Sequence, residues 1–556
     1  MRRAGLGAVA GVLAGAVAVG AGQVVAGITG AGGSPVVAVG QLQIDLTPPA
    51  LKNFAIREFG SHDKLVLVSG ILVVLALFAA VLGSLATRRL GYGLAGLAVF
   101  AVIGLTAATT RPAATAADVL PTLAAAAAGA VTMTALIRAA RATDPQTSLD
   151  QPPGAGMTAA GTSRSVPARD SSPALDGAAA DVAAPGGARD DPPGMPVSGP
   201  QQPGRRRFLV AGGMAAGAAT AGVLGGRVLA DRSSVTSARA SLRIPAAAHP
   251  ARPLPAGADL RIAGLSPFVT PSSAFYRVDT AVVVPQVAPE SWMLRIHGMV
   301  REELRISFGQ LIRRPLIEDW ITLCCVSNPV GGPYIGNARW LGASLASLLR
   351  QAGIAAGASQ LLCTSADGFT SGVPVQAVLD GRDALLAVAM NGTALPVAHG
   401  FPVRMVVPGL YGYVSACKWI TDIEVTTYQA ATAYWVPRGW DARAPVKTES
   451  RIDVPTNGKL LQAGKVQVAG VAWAQHKGID AVEVRAGRGP WQQARLAAVP
   501  GIDTWRQWVW DWHATPGQHL IEARATDKTG YTQTAAQVPP EPNGATGYPS
   551  VSVTVT

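Results

Sequence analysis

Two adjacent cysteines, Cys324 and Cys325, end a β-branched apolar run in ITLCCVSNPVGGPYIGNARW, just before a loop of glycine, proline and asparagine. Such a pair can close a structural disulfide if the segment is exported. Alternatively, one thiolate can hold a soft metal. A third reading is two inert core residues, since free cysteine is among the most buried residue types. Four cysteines in 556 residues with no CxxC pair exclude a disulfide scaffold and argue against zinc. Histidine is equally sparse at seven.

The elements that must carry this segment fall into two halves of different composition. With 49% hydrophobic and 14% charged residues, the chain is too apolar to be wholly soluble. Four segments have spanning length: Gly5 to Ile28, Leu65 to Ala86, Gly91 to Thr109 and Ala116 to Ile137. The net charge of +12 does not point to nucleic acid, because the arginines of this half stand at the ends of apolar runs. Arg2-Arg3, Arg88-Arg89 and Arg138 with Arg141 fall on one side of a four-span bundle, which the positive-inside rule makes cytoplasmic. No span carries a histidine, so the bundle offers no pair to ligate a b-type haem, and no haem is expected.

Residues 1–142 are thus read as a four-helix transmembrane region and 143–204 as a disordered linker rich in Pro, Gly and Ala. Residues 205–230 open with Arg205-Arg206-Arg207-Phe208-Leu209, which fits the RRxFL core of a twin-arginine signal and equally the basic start of a fifth span. Either reading delivers the rest of the chain outside the cytoplasm.

Beyond Pro253 the composition turns to aromatic-rich alternating runs. Trp292 to His297, Val403 to Val407 and Ile420 to Val425 read as strands, and Leu341 to Ala352 reads as a helix starting near Gly342. Residues 253–440 form a mixed α+β domain on this reading. Residues 448–556 carry about seven short strands parted by Gly, Pro and Asp, the pattern of an immunoglobulin-like β-sandwich.

Four blocks occur in order: FYRVDTAVVVP, TLCCVSN followed by ARWLGASL, ADGFTSGVP, and HGFPVRMVVPGLYGYVSACKW. Their order and spacing resemble the sulfite oxidase family of molybdopterin enzymes, with its TLxCxxN, ARWxG, HGxPxR and KW motifs. The C-terminal segment GIDAVEVRAGRGPW is similar to that family's molybdenum-cofactor dimerisation domain. The resemblance implies a molybdenum–molybdopterin cofactor with the metal on Cys325, the second cysteine, and Cys324 at a variable position. A Cys324–Cys325 disulfide would consume that ligand and is not expected. The implied cofactor positions are Tyr276, Arg277, Asp279, Ser365, Asp367, His399, Arg404 and Lys418, with Arg404 as a bidentate fork and Lys418 as a point charge for the phosphate. Arg277 is also a candidate catalytic residue, and Arg339 has no assigned role.

The implied function is a membrane-anchored, extracytoplasmic oxidoreductase transferring an oxygen atom to or from a small oxyanion or S- or N-oxide. It would pass electrons to a separate partner protein. The alternatives are a reductase on the same cofactor and a cofactor-free binding module. Pro329 and Val330 stand where sulfite-oxidising relatives carry arginines, and Phe369 stands where they carry a catalytic tyrosine. Sulfite is therefore expected to be a poor substrate.

Overall fold

The computed structural model describes residues 2–29, 35–47, 63–110, 116–141, 203–232 and 235–556. Of the expected linker over 143–204, residues 143–202 lie outside these residues. Its last two positions, Pro203 and Gly204, begin a helix that runs to Arg232.

Five helices are long and apolar enough to cross a membrane: Ala4–Thr29, Val68–Arg88, Leu90–Thr109, Ala116–Arg141 and Arg206–Leu229. Ala10, Ala14, Ala86, Met133, Leu136, Ile137, Phe208 and Ala215 pack together at their centre. Half of these are alanines, and with glycine at the contacts they let the helix backbones approach closely. A Cβ on Gly11 would overlap the Ala79 carbonyl, and one on Gly222 would lie 2.8 Å from the Gly20 carbonyl carbon. The helix that opens with Arg205 to Arg207 therefore packs against the first helix as a fifth member of the bundle.

The following domain is built on one mixed sheet and one antiparallel sheet. One has the order β2-β1-β10-β5-β6, from strands β1 (Met293–Gly298), β2 (Leu304–Ser307), β5 (Gln360–Ser365), β6 (Thr370–Pro374) and β10 (Ile420–Thr426). The other has the order β3-β4-β7-β8, from β3 (Leu316–Cys324), β4 (Ile335–Ser344), β7 (Leu385–Met390) and β8 (Thr393–Ala394), with β9 (Arg404–Val406) paired to β7. The expected helix over 341–352 is half right. Leu341 to Ser344 stay in β4, pairing with β7, and the helix runs Leu345–Ala352 with the Ser344 hydroxyl accepting the Ser347 amide as its cap. Gly342 permits this, since its Cβ would lie 2.3 Å from the Leu386 carbonyl oxygen.

The C-terminal part is a β-sandwich of nine strands. β11 (Glu449–Val454), β13 (Gly464–Trp473), β17 (Arg506–Ala514) and β16 (Arg495–Leu496) form one sheet. β12 (Leu460–Leu461), β19 (Ser550–Val555), β18 (Gly517–Asp527), β14 (Ile479–Ala486) and β15 (Gln492–Gln493) form the other. Val468, Val482, Val484, Trp508, Ile521 and Val551 fill the space between them. Nine strands replace the expected seven because WQQARL divides into β15 and β16, which join opposite sheets, and the two-residue β12 edges β19.

Candidate active site

Strand β3 is buried on both faces. Leu316, Trp320 and Cys324 enter one apolar core, and Ile321 and Leu323 enter another, as the two-residue period of a strand requires. Cys324 pairs with Ile335 in the ladder and is fully buried among apolar side chains. Burial pushes its thiol well above the usual range. Cys325 leaves the strand end and turns away from that core.

The loop after Cys325 is tied shut by its own backbone and one asparagine. The Cys325 amide donates to the Tyr334 carbonyl at 2.9 Å and the Asn328 amide to the Cys325 carbonyl at 3.1 Å. Asn328 Oδ1 accepts the Tyr334 amide at 2.8 Å. This is a physical reason for the asparagine of the motif. Cys325 Sγ lies 3.0 Å from Ser327 Oγ. Burial raises its pKa, while the Ser327 hydrogen bonds and the Lys418 charge oppose the rise. All four cysteines are free thiols.

Around Cys325 the structure gathers the basic residues singled out in the sequence. Arg404, on β9, is 4% exposed and donates to the His399 and Ala416 carbonyls at 3.2 and 3.3 Å. Its guanidinium lies 5.0 Å from the centre of the Trp340 ring. Lys418 Nζ is 2.7 Å from Asp279 Oδ2, and Arg277 Nε is 2.8 Å from the same oxygen. Burial brings Arg404 down to about 10 and Lys418 down to about 8, with Asp279 resisting the fall of Lys418. His399 is pushed down to about 3 by burial and by Arg404 and Lys418, so it is a neutral imidazole. Its ring meets Phe275 edge to face at 5.7 Å. Tyr276 stacks on Phe275 at 5.3 Å and is raised well above its ordinary value, first by burial and then by the Cys325 and Cys324 charges.

Gly400 makes this cluster possible. Its φ is +107°, and a Cβ there would lie 2.9 Å from Arg404 Cβ and 3.2 Å from Lys418 Cα. The glycine of HGFPVR is thus where two cation-bearing segments cross. Ser365 and Asp367 lie beside them, for the Ala366 amide donates to the Trp419 carbonyl at 2.9 Å. Asp367 Oδ1 accepts the Phe369 amide at 3.3 Å. Arg339 is committed elsewhere: it pairs with Glu318 at 3.2 Å and lies over Trp320. Ser327, Asn328, Trp340 and Gly400 were not singled out in the sequence, although Asn328 and Gly400 stand inside the motifs.

Two features of this cluster fit a bound anionic organic group. Arg404 Nε and Ser365 Oγ are buried with no hydrogen-bond partner, a costly state for a donor unless a ligand accepts from it. Arg277 and Lys418 share the Asp279 carboxylate while Arg404 meets two carbonyls and the Trp340 ring, so even with Asp367 counted the cations outnumber the carboxylates three to two, which suits an anion such as a phosphate ester. Among the described residues, no group of three or more His, Cys, Asp or Glu side chains is placed to hold a metal. A metal at Cys325 would therefore take most of its donors from that organic group, as a pterin dithiolene can supply them.

Residues 281–435 match the family described as "Oxidoreductase molybdopterin binding domain". Sulfite oxidase of Gallus gallus is 31% identical over 291 residues, 44% of this chain and 62% of that protein. An NADH nitrate reductase of Cichorium intybus is 30% identical over 194 residues, 30% of this chain and 21% of its own. The solved sulfane dehydrogenase SoxCD of Paracoccus pantotrophus aligns over 51% of this chain and 80% of its own, at 23% identity and a TM-score of 0.44. The chain spans 62% of the length of the Gallus gallus enzyme and 52% of the mitochondrial sulfite oxidase of Mus musculus.

Proposed function

Because the chain belongs to the sulfite oxidase family of molybdopterin-dependent oxidoreductases, we propose that it is a membrane-anchored enzyme that exchanges an oxygen atom and two electrons with a small substrate. Its reaction centre would be a molybdenum held by Cys325. The observation that carries this reading is one constellation: a thiol at a latched strand end beside three cations, two of which share the Asp279 carboxylate. A buried guanidinium nitrogen without a partner completes it.

Cys325 would bind the metal as a thiolate, with Ser327 and Lys418 favouring the charged sulfur against burial. Arg404 would donate to the cofactor phosphate as a fork, aligned by two carbonyls that fix its plane. Lys418 would add a point charge, and the neutral His399, one ring nitrogen of which is hydrogen-bonded to the Ser272 backbone, would offer its other nitrogen to the pterin or phosphate. Tyr276, Arg277, Asp279, Ser365 and Asp367 would line the remainder. Tyr276 stays a protonated phenol, and Arg277, the most exposed cation of the group, is placed to meet an entering anion. The molybdenum–molybdopterin group supplies the oxygen-atom chemistry when bound, and the protein supplies orientation, charge and shelter from water.

The five apolar helices and their arginine-marked ends support the anchoring, with the oxidoreductase domain outside the cytoplasm. A separate redox partner would accept or deliver electrons one at a time. Molybdenum stoichiometry with a paramagnetic resonance spectrum tests the reading: about one metal per chain with a thiolate-influenced signal is expected. Protein matured in a competent host without molybdenum would favour a binding module instead. The likeness to a nitrate reductase favours a second reading, net reduction of an oxide at the same site. Assays in both directions with dye donors and acceptors separate the two.

A further inference from the structure

Three residues before Cys325, Thr322 is 1% exposed and every polar group it has is engaged. Its amide donates to the Asp503 carbonyl at 2.9 Å. The Thr322 carbonyl accepts Gln475 Nε2 at 3.0 Å. Its hydroxyl accepts the Trp505 amide at 2.7 Å and donates to Asn337 Oδ1 at 2.9 Å. Asn337 and the Trp505 indole both donate to the Phe268 carbonyl, each at 2.9 Å. Three of the four partners of Thr322 therefore come from the C-terminal part: Gln475 just after β13, and Asp503 and Trp505 just before β17. Val471, Trp473 and Trp505 also share the apolar core that contains Cys324.

We infer that Thr322 is a positioning residue through which the C-terminal sandwich holds the strand that presents Cys325 to the metal. The inference rests on Cys325 being the ligand. Buried hydrogen bonds to backbone groups cannot be exchanged for water without opening the interface, so each one ties β3 to the sandwich. Cys325 is held twice: by its own loop on one side and by Thr322 on the other. Valine at 322 keeps the shape but leaves the Trp505 amide and Asn337 Oδ1 without partners, and that penalty falls on the strand end. Serine keeps the hydroxyl and loses one methyl group.

The test is the alkylation rate of Cys325 in full-length protein made without the molybdenum cofactor, with labelled positions resolved from Cys324 by tandem mass spectrometry. Thr322→Val is expected to react about tenfold faster, reporting local opening of the strand end, and Thr322→Ser to return within about twofold of wild type. Gln475→Met, which removes one donor from the sandwich side, is expected to accelerate labelling by a smaller factor and guards against a Thr322→Val chain that fails to fold. Ile423→Val, in the other sheet, is the control for general destabilisation. In cofactor-loaded protein, Thr322→Val is also expected to shift the molybdenum paramagnetic signal while Ile423→Val leaves it in place. Labelling of Thr322→Val at the wild-type or control rate, or no rescue by serine, overturns the inference. Absence of molybdenum from the wild type would defeat the proposed function yet leave the labelling comparison readable.

Discussion

Cys324 and Cys325 are neighbours in sequence and opposites in environment, and single substitutions should separate them. Cys325→Ser is expected to lower turnover more than ~100-fold, beyond the loss typical of groups that only support a ligand, while pterin released on denaturation stays near one per chain. Cys324→Ala should cost about 1 kcal/mol of stability in urea melts and leave turnover close to normal, because it removes one buried sulfur from the apolar core. Near-normal turnover of the Cys325 variant would move the ligand elsewhere. Substrate charge gives a second prediction. Pro329 and Val330 bring no cation to the loop after Asn328, and the partly exposed Arg277 and Arg339 are each already paired with a carboxylate, Asp279 and Glu318. Sulfite oxidation with ferricyanide as acceptor should therefore run at a kcat/KM below roughly 10⁴ M⁻¹s⁻¹. At this scale Cys325, Arg404 and Lys418 were singled out through the resemblance of their motifs, since taken one at a time they read as an inert buried cysteine, a surface arginine and a solvated lysine. Asp279 was legible only as a neighbour, since its double ion pair depends on Lys418, 139 positions away. The partners of Thr322 were not legible at all: Gln475 and Trp505 lie 153 and 183 positions along the chain, and nothing local to TLCCVSN announces them.

Among the elements, the strands read from alternation stand almost where expected, since a two-residue period leaves little freedom in which face is buried. The start of the helix at Leu345 did not follow from periodicity. Leu341, Ala343 and Ser344 suit either conformation, and the contest is settled by pairing with β7 and by the Ser344 cap. The long apolar helices were legible from length and composition, but their partners were not, because glycine at a helix contact looks like glycine anywhere. Gly222 shows the difference. With its Cβ position 2.9 Å from Gly20 Cα, leucine there must push the first and fifth helices apart. Cysteines placed at Val24 and Gly225, whose Cβ position lies 3.9 Å from Val24 Cγ2, should cross-link readily in the parent. Adding Gly222→Leu should reduce the cross-linked fraction at least about fivefold, and an unchanged fraction would show that the two helices do not pack this way.

At the scale of the whole molecule, one buried carboxyl couples stability to pH. Glu449 is 4% exposed, its Oε1 has no hydrogen-bond partner, and burial pushes it up to about 8. An unfolded glutamate titrates near ~4.3, so between that value and about 8 the folded chain keeps a proton that the unfolded chain has released. Stability should fall as pH rises through this window, by up to ~1.4 kcal/mol per pH unit, and level off above it. Glu449→Gln should remove this share of the slope, leaving the opposed contributions of Asp319 and His399, and should be more stable than the parent at pH 8 and equal to it near pH 4. Tryptophan fluorescence in urea measures this selectively, because all twelve tryptophans lie between Trp292 and Trp512. A topological prediction follows from the arginine-marked helix ends: protease added to intact spheroplasts should cut beyond residue 231 and spare 143–202. The contact between the first and fifth helices then carries a chronology. A chain made from its N-terminus has its first helix ready long before the second surface of that contact exists. If Arg205 and Arg206 send a folded, cofactor-loaded domain across the membrane, the last helix can take its place only after that cargo has passed. The seam at Gly20 and Gly222 would then be the final joint of the molecule to close, and a closed bundle would certify that the enzyme outside was already complete.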